Sequence, residues 1–175
     1  MLEQKIRSVI RDVPNFPKPG ILFKDITPIL RDAKLCKSIS DEMAEKVKYF
    51  KVDVVAGIES RGFLFGLMLA NSLNVPFVLV RKKGKLPYET ISLEYELEYG
   101  HAHIEMQKGD ILPGWNVLIH DDVLATGGTA DAASRLIKMQ NAHIAGFAFL
   151  VNLKFLNGIS KIDSHSKNII SLVDY

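Results

Sequence analysis

The chain has one cysteine, one tryptophan and no marked excess of charge of either sign among its 175 residues. Cys36 alone cannot close an intrachain disulfide, so packing must hold the fold, and a reducing, cytoplasmic setting is expected. Lys and Arg number 22 against 20 Asp and Glu, a formal net charge of +2. Such a balance provides no global field to hold a polyanion; no nucleic-acid partner is expected, and any anion site has to be local. Long apolar runs are also missing. The longest, Gly62 to Ala70, falls far short of the roughly 20 residues that span a bilayer. The first residues, MLEQKIRSVIRD, are charged throughout, so neither a signal peptide nor a membrane role is expected.

What is present is an apolar fraction of 47%, enough for the core of one domain over residues 1–175. Leu2, Ile6, Val9 and Ile10 predict a short first helix that Pro14, Pro17 and Pro19 stop, followed by an irregular segment. Asp32 is a plausible N-cap for an amphipathic helix carrying Leu35, Ile39, Met43, Val47 and Phe50. Short apolar runs at Val52–Ala56, Phe77–Val80, Trp115–Ile119, Ile144–Leu153 and Ile169–Val173 read as buried strands. Between them, helices are predicted at Gly62–Leu73 and Thr129–Met139, which implies an α/β fold: a mainly parallel sheet with helices on both faces. Strict alternation at Ile91, Leu93, Tyr95, Leu97 and Tyr99, resumed at Ala102, Ile104 and Met106, predicts an antiparallel hairpin inserted into that sheet.

The segment Val117 to Ala130, VLIHDDVLATGGTA, runs from a buried strand through two acids and a small-residue loop into a helix. Gly127 and Gly128 let backbone N–H groups converge on an anion at a helix N-terminus, and Thr126 and Thr129 can add hydroxyl donors. A phosphate monoester fits this nest. Asp121 and Asp122 would repel phosphate but can accept hydrogen bonds from sugar hydroxyls, one of the pair reaching the ligand and the other orienting it. Gly57 to Gly62, GIESRG, is a second strand-to-helix turn whose backbone, Ser60 and Arg61 could hold another anion. Neither a P-loop nor a G-x-G-x-x-G fingerprint is present.

VLIHDDVLATGGTA resembles the signature of the type I phosphoribosyltransferases that bind phosphoribosyl pyrophosphate (PRPP), with Ala125 to Thr129 at the 5-phosphate and Asp121 and Asp122 at the ribose. His120 departs from the pattern and is read as a buried structural histidine that needs a partner. GIESRGF is similar to the pyrophosphate loop of the adenine phosphoribosyltransferase family, and RKKGKLPYET to its basic loop, so Glu59, Ser60, Arg61, Arg81, Lys82 and Lys85 are expected at the pyrophosphate. FPKPGILFKDITP resembles the family's adenine-binding hood (about residues 1–30), with Leu22 and Phe23 against the purine and backbone groups around Leu22 and Lys24 at its edge. SLEYELEYG, in a loop and hairpin over about 82–107, resembles the element with the catalytic glutamate. Gly100 as anchor selects Glu98, while Glu94 in the duplicated triplet stays open.

The resemblance implies transfer of the phosphoribosyl group of PRPP to adenine, giving AMP and pyrophosphate, with Mg²⁺ held mainly by PRPP and no direct protein metal ligand. It also implies a homodimer. The alternatives are a sibling enzyme acting on an oxopurine and a non-catalytic regulator that senses PRPP.

Overall fold

The computed structural model describes residues 1–97 and 100–175. Helix α1 (Leu2–Val9) is followed by strands β1 (Arg11–Pro14) and β2 (Leu22–Asp25), a 3-10 turn at Thr27–Arg31 and helix α2 (Ala33–Val47). Asp32 caps α2 as its sequence position suggests, its carboxylate accepting the Leu35 N–H at 2.9 Å. The segment after α1, expected to be irregular, instead holds the antiparallel pair β1–β2, in register from Arg11 opposite Asp25 to Pro14 opposite Leu22. Strands of four residues crowded by prolines offer no alternation to read.

The rest of the chain forms β3 (Val54–Ile58), α3 (Gly62–Leu73), β4 (Phe77–Lys82), β5 (Thr90–Leu97), β6 (Gly100–Gln107), β7 (Asn116–Leu124), α4 (Gly128–Lys138), β8 (His143–Asn152), α5 (Ile159–Ile162) and β9 (Ile169–Asp174). The described residues build a seven-stranded sheet in the order β5-β6-β4-β3-β7-β8-β9. Strands β4, β3, β7, β8 and β9 are parallel neighbours. The hairpin β5–β6 is not inserted among them: it lies at one edge, with β6 antiparallel to β4, which leaves the other five strands contiguous.

Alternation along the inner strands splits the core into two layers, as a sheet covered on both faces requires. Val54, Ala56, Ile58, Val117 and Ile119 pack with Ala132, Ala133, Leu136 and Ile137 of α4. Val55 and Leu118 face the other way, into Ile39 and Met43 of α2 and Phe65 and Leu69 of α3. Helix α1 is tied to the far edge of the sheet, where an Arg7 Nη2 proton is donated to the Asp174 carbonyl at 2.5 Å. Among the described residues, no helix is long and apolar enough to cross a membrane.

His120 sits in the middle of β7, fully buried. Among the described residues neither ring nitrogen has a partner in hydrogen-bonding geometry. Burial pushes the imidazole pKa down to about 4, and the opposing pull of the Asp122 carboxylate and the Ala148 main chain is too weak to reverse it. The ring is therefore neutral at physiological pH and forfeits the hydrogen bonds it would make to water. Unfolding frees it to bind a proton, so stability is complete above pH 6.5 and falls as pH drops towards the folded pKa of about 4, by up to about 3 kcal/mol. Replacement His120→Val is expected to raise the unfolding free energy at pH 7 by about 1–2 kcal/mol and to flatten its dependence on pH between 6.5 and 4, as followed by urea titration. Equal slopes for the two proteins would contradict this account.

Candidate active site

Parallel pairing of β3 with β7, with Gly57 opposite His120, brings the ends of two strands and the starts of two helices to one edge of the sheet. Open parallel sheets bind ligands at this carboxyl edge. From β3 emerge Glu59, Ser60 and Arg61 before α3; β7 carries Asp121 and Asp122 near its carboxyl end and runs into the loop Ala125–Gly127 before α4. The Glu59–Ser60 peptide is cis.

Arg61 joins the two segments. Its Nε donates to Asp122 Oδ2 at 2.5 Å, and Asp122 is buried at 3% exposure while the guanidinium remains partly open. Asp121 accepts the Asp122 N–H at 2.8 Å. Burial, followed by the neighbouring Asp122 charge, holds the Asp121 carboxyl well above the usual carboxylate range. The two acids are thus unequal: one is the partner of a cation, the other retains its proton more readily.

The loop after β7 has the form of an anion nest. Gly127 adopts φ +80°, a left-handed conformation that costs glycine little, and no side chain caps α4. The first N–H groups of a helix lack intrahelical partners and carry its partial positive charge, so an anion at Gly128 and Thr129 would meet both. Thr126 is exposed beside them. The Thr129 hydroxyl lies 3.3 Å from the Tyr95 hydroxyl, which connects the loop to the edge hairpin. The Tyr95 contact has no sequence signal, because it joins residues 34 positions apart.

Two carboxylates organise the basic loop after β4. Glu59 Oε2 accepts from Arg81 Nε at 3.1 Å and from the Lys82 N–H at 3.0 Å, and Arg81 Nη1 donates to the Lys85 carbonyl at 3.0 Å. On the other side Glu105, 4% exposed on β6, accepts the N–H groups of Lys85 at 3.1 Å and Leu86 at 3.2 Å, and the Thr90 hydroxyl at 3.3 Å. Lys82, Lys83 and Lys85 are left exposed. Glu59 therefore serves as an orienter of cations at this site. Glu105 escaped the sequence reading, since its partners lie 15 to 20 residues away.

A third region lies below β2. Val13, Phe16, Phe23, Asp25, Thr27 and Arg61 line a cleft of about 330 Å³. The Phe16 and Phe23 rings meet edge to face at 5.1 Å, and the Arg61 guanidinium stands 5.2 Å from the Phe23 ring. Hydrogen bonds from Thr27 hold the Asp25 carboxyl below its usual range. Of the expected base contacts, Phe23 lines the cleft; Leu22 is 47% exposed and is not among the lining residues. The Lys24 side chain turns elsewhere, to Asp12 at 2.6 Å and to the Tyr175 ring at 4.0 Å.

An apolar cleft, a basic loop, an acidic pair and an anion nest therefore gather near one edge of the sheet, in that order along the chain. The model of the phosphoribosyl transferase domain matches residues 24–174. The adenine phosphoribosyltransferase of Cytophaga hutchinsonii is 50% identical over 175 residues, covering 100% of this chain and 97% of its own length. The chain belongs to the adenine phosphoribosyltransferase family. The crystal structure of the adenine phosphoribosyltransferase from Thermoanaerobacter pseudethanolicus superposes with a TM-score of 0.95 at 47% identity, covering 100% of both chains. That of Saccharomyces cerevisiae, solved with adenine and an imino-altritol bisphosphate, gives 0.90 at 42% identity, with 98% of each chain covered.

In this member of the adenine phosphoribosyltransferases, Glu98 and Tyr99 lie outside the described residues. Glu94 is 56% exposed on β5, with Oε1 at 3.7 Å from His101 Nδ1 and 3.6 Å from His103 Nε2. Glu105, by contrast, yields a direct expectation. Glu105→Ala should raise the KM for PRPP about tenfold and leave that for adenine unchanged, whereas Glu105→Gln, whose amide oxygen still accepts from Lys85 and Leu86, should do less. Steady-state kinetics with each substrate varied in turn decides this.

Proposed function

We propose that the chain transfers the 5-phosphoribosyl group of PRPP to adenine, releasing AMP and pyrophosphate, in purine salvage. The observation that carries the assignment is the position of Arg61. One guanidinium reaches both the Phe23 ring in the apolar cleft and the Asp122 carboxylate beside the phosphate loop, so a base and a ribose 5-phosphate bound there would meet within the span of a single side chain.

In this reading Ala125 to Thr129 grip the 5-phosphate and Asp121 and Asp122 accept the ribose hydroxyls. Adenine lies against Phe23, with its edge read by backbone groups around Leu22 and Lys24. Ser60, Arg61, Arg81, Lys82 and Lys85 receive the pyrophosphate, with Glu59 orienting Arg81. Attack by a purine nitrogen on the anomeric carbon forms the C–N bond as the C–O bond to pyrophosphate breaks, and the electron pair leaves with the diphosphate. Positive charge grows on the sugar ring while negative charge grows on the leaving group, and fixed cations and N–H groups lower the cost of that separation. Arg61 must exchange Asp122 for the diphosphate as PRPP binds, which frees a carboxylate for the sugar at the same moment. Glu98 takes the proton released from adenine.

The carboxylates at the ribose end fit a metal delivered with its substrate. Asp122 is tied to Arg61 and Asp121 is biased towards its protonated form, so PRPP oxygens and water would supply most of the ligands of Mg²⁺. The ion would share the charge of the departing diphosphate.

A homodimer accords with the surface of α3. Leu64 and Leu67 are 43% and 50% exposed on an almost wholly apolar helix that begins at the pyrophosphate end of the site. A second copy covering this face would remove them from water.

Purified protein, sized as a dimer by light scattering, is expected to form AMP from adenine and PRPP only with Mg²⁺, and to favour adenine over hypoxanthine and guanine in competition. Absence of AMP under these conditions would overturn the assignment. Glu98→Gln should lower kcat by about a hundredfold or more with the affinity for PRPP kept, whereas Glu94→Gln should do little. The reverse ranking would move the proton-handling role to Glu94.

A further inference from the structure

The phosphate loop contains no cation, although a phosphate monoester brings between one and two negative charges and a helix N-terminus offsets only about half of one. We infer that Lys161 of α5 is a ligand of the 5-phosphate, set beside the loop by the close packing of Gly158 on Gly127. This rests on the reading of Ala125 to Thr129 as the 5-phosphate site.

The placement follows from two glycines pressed backbone to backbone. A Cβ on Gly158 would collide with the Ala125 carbonyl oxygen and come within 3.1 Å of the Gly127 nitrogen; a Cβ on Gly127 would stand 2.5 Å from the Gly158 carbonyl oxygen and 3.2 Å from Lys161 Cβ. The segment before α5 therefore lies against the outer side of the loop, and Lys161, three residues beyond Gly158, follows it round. Its Nζ is 3.8 Å from where a Cβ on Gly128 would stand, at the mouth of the nest.

Lys161 is also uncommitted. Among the described residues its ammonium group forms no hydrogen bond or ion pair, and only its main-chain N–H is engaged, by the Gly158 carbonyl at 3.2 Å. It shares a cleft of about 480 Å³ with Gly128, Tyr95, Glu96, Asp131 and Arg135. Asp131 is engaged by His165 Nε2 at 2.7 Å. Arg135 leaves from α4 about two turns past Gly128, roughly 10 Å along the axis, too far down the helix to serve its N-terminus. Glu94 and Glu96 on the hairpin line the same cleft and are the competing partners, and an ion pair with either would give Lys161 a purely structural role.

The test compares Lys161→Gln, Lys161→Arg and Thr126→Ala in the full-length enzyme, with ribose 5-phosphate binding measured by calorimetry and KM determined for PRPP and adenine. Lys161→Gln is expected to weaken ribose 5-phosphate and raise the KM for PRPP by about tenfold. The KM for adenine and inhibition by pyrophosphate should stay as in the wild type, and Lys161→Arg should recover most of the loss. Unchanged ribose 5-phosphate affinity in Lys161→Gln overturns the inference. If Thr126→Ala is weakened in that case, the loop is still the phosphate site and Lys161 serves the hairpin; if Thr126→Ala is unchanged too, the loop assignment falls with it. Equal weakening of pyrophosphate by Lys161→Gln would also overturn the inference, since a general field would then be acting in place of a local contact.

Discussion

The parallel pairing of β3 with β7 is the constraint on which the site depends. A ligand with a phosphate at one end and a diphosphate at the other needs two separate concentrations of N–H groups and cations, yet the chain as a whole carries a formal charge of only +2. Two adjacent strands that point the same way, each followed at once by a helix, deliver two such concentrations to a single edge. Every other element at the site is attached to this pair. The basic loop hangs from Glu59 at the end of β3, the hairpin touches Thr129 at the start of α4, and the apolar cleft is closed by Arg61.

Several charged groups at this edge are already satisfied within the protein. Asp122 is paired with Arg61, Glu59 with Arg81, and Glu105 is wrapped by main-chain N–H groups. Groups selected to meet several negative charges would otherwise repel one another, and buried carboxylates without partners would be costly. The pairs hold these side chains in place, so that under the proposed function binding would proceed by exchange. In the proposed reaction, Arg61 and Arg81 would turn from protein carboxylates to phosphate oxygens, and the released Asp122 would accept a sugar hydroxyl.

The elements that could be read from the sequence are those whose signals are local. Apolar residues three and four apart located α1 and α2, short continuous apolar runs the inner strands, and a period of two the hairpin, because each buries one face or both against its neighbours. The loops at 57–62 and 125–129 were legible because backbone geometry there demands small residues in a fixed order. What escaped depended on distance along the chain. Glu105 lies on a strand of alternating character and gains its role only when residues 85, 86 and 90 fold back over it. Gly158 and Lys161 belong to a polar stretch without periodicity, and only the sheet brings that stretch against Gly127. Lys24 was legible as a hood residue, but its direction was set by Asp12 and Tyr175, neither of them within ten positions.

Tyr175 gives the hood an unusual dependence. Its ring lies under Lys24 Nζ and beside the Arg7 guanidinium at 4.8 Å, and the neighbouring Asp174 carbonyl accepts a bond from Arg7. On the ribosome, Arg7 and Lys24 leave the exit tunnel long before Asp174 and Tyr175, the partners they meet at the end of the sheet. Ile6 and Ile26 can pack on α2 early, but the Lys24 side chain reaches its contact with the Tyr175 ring only once β9 has joined the sheet.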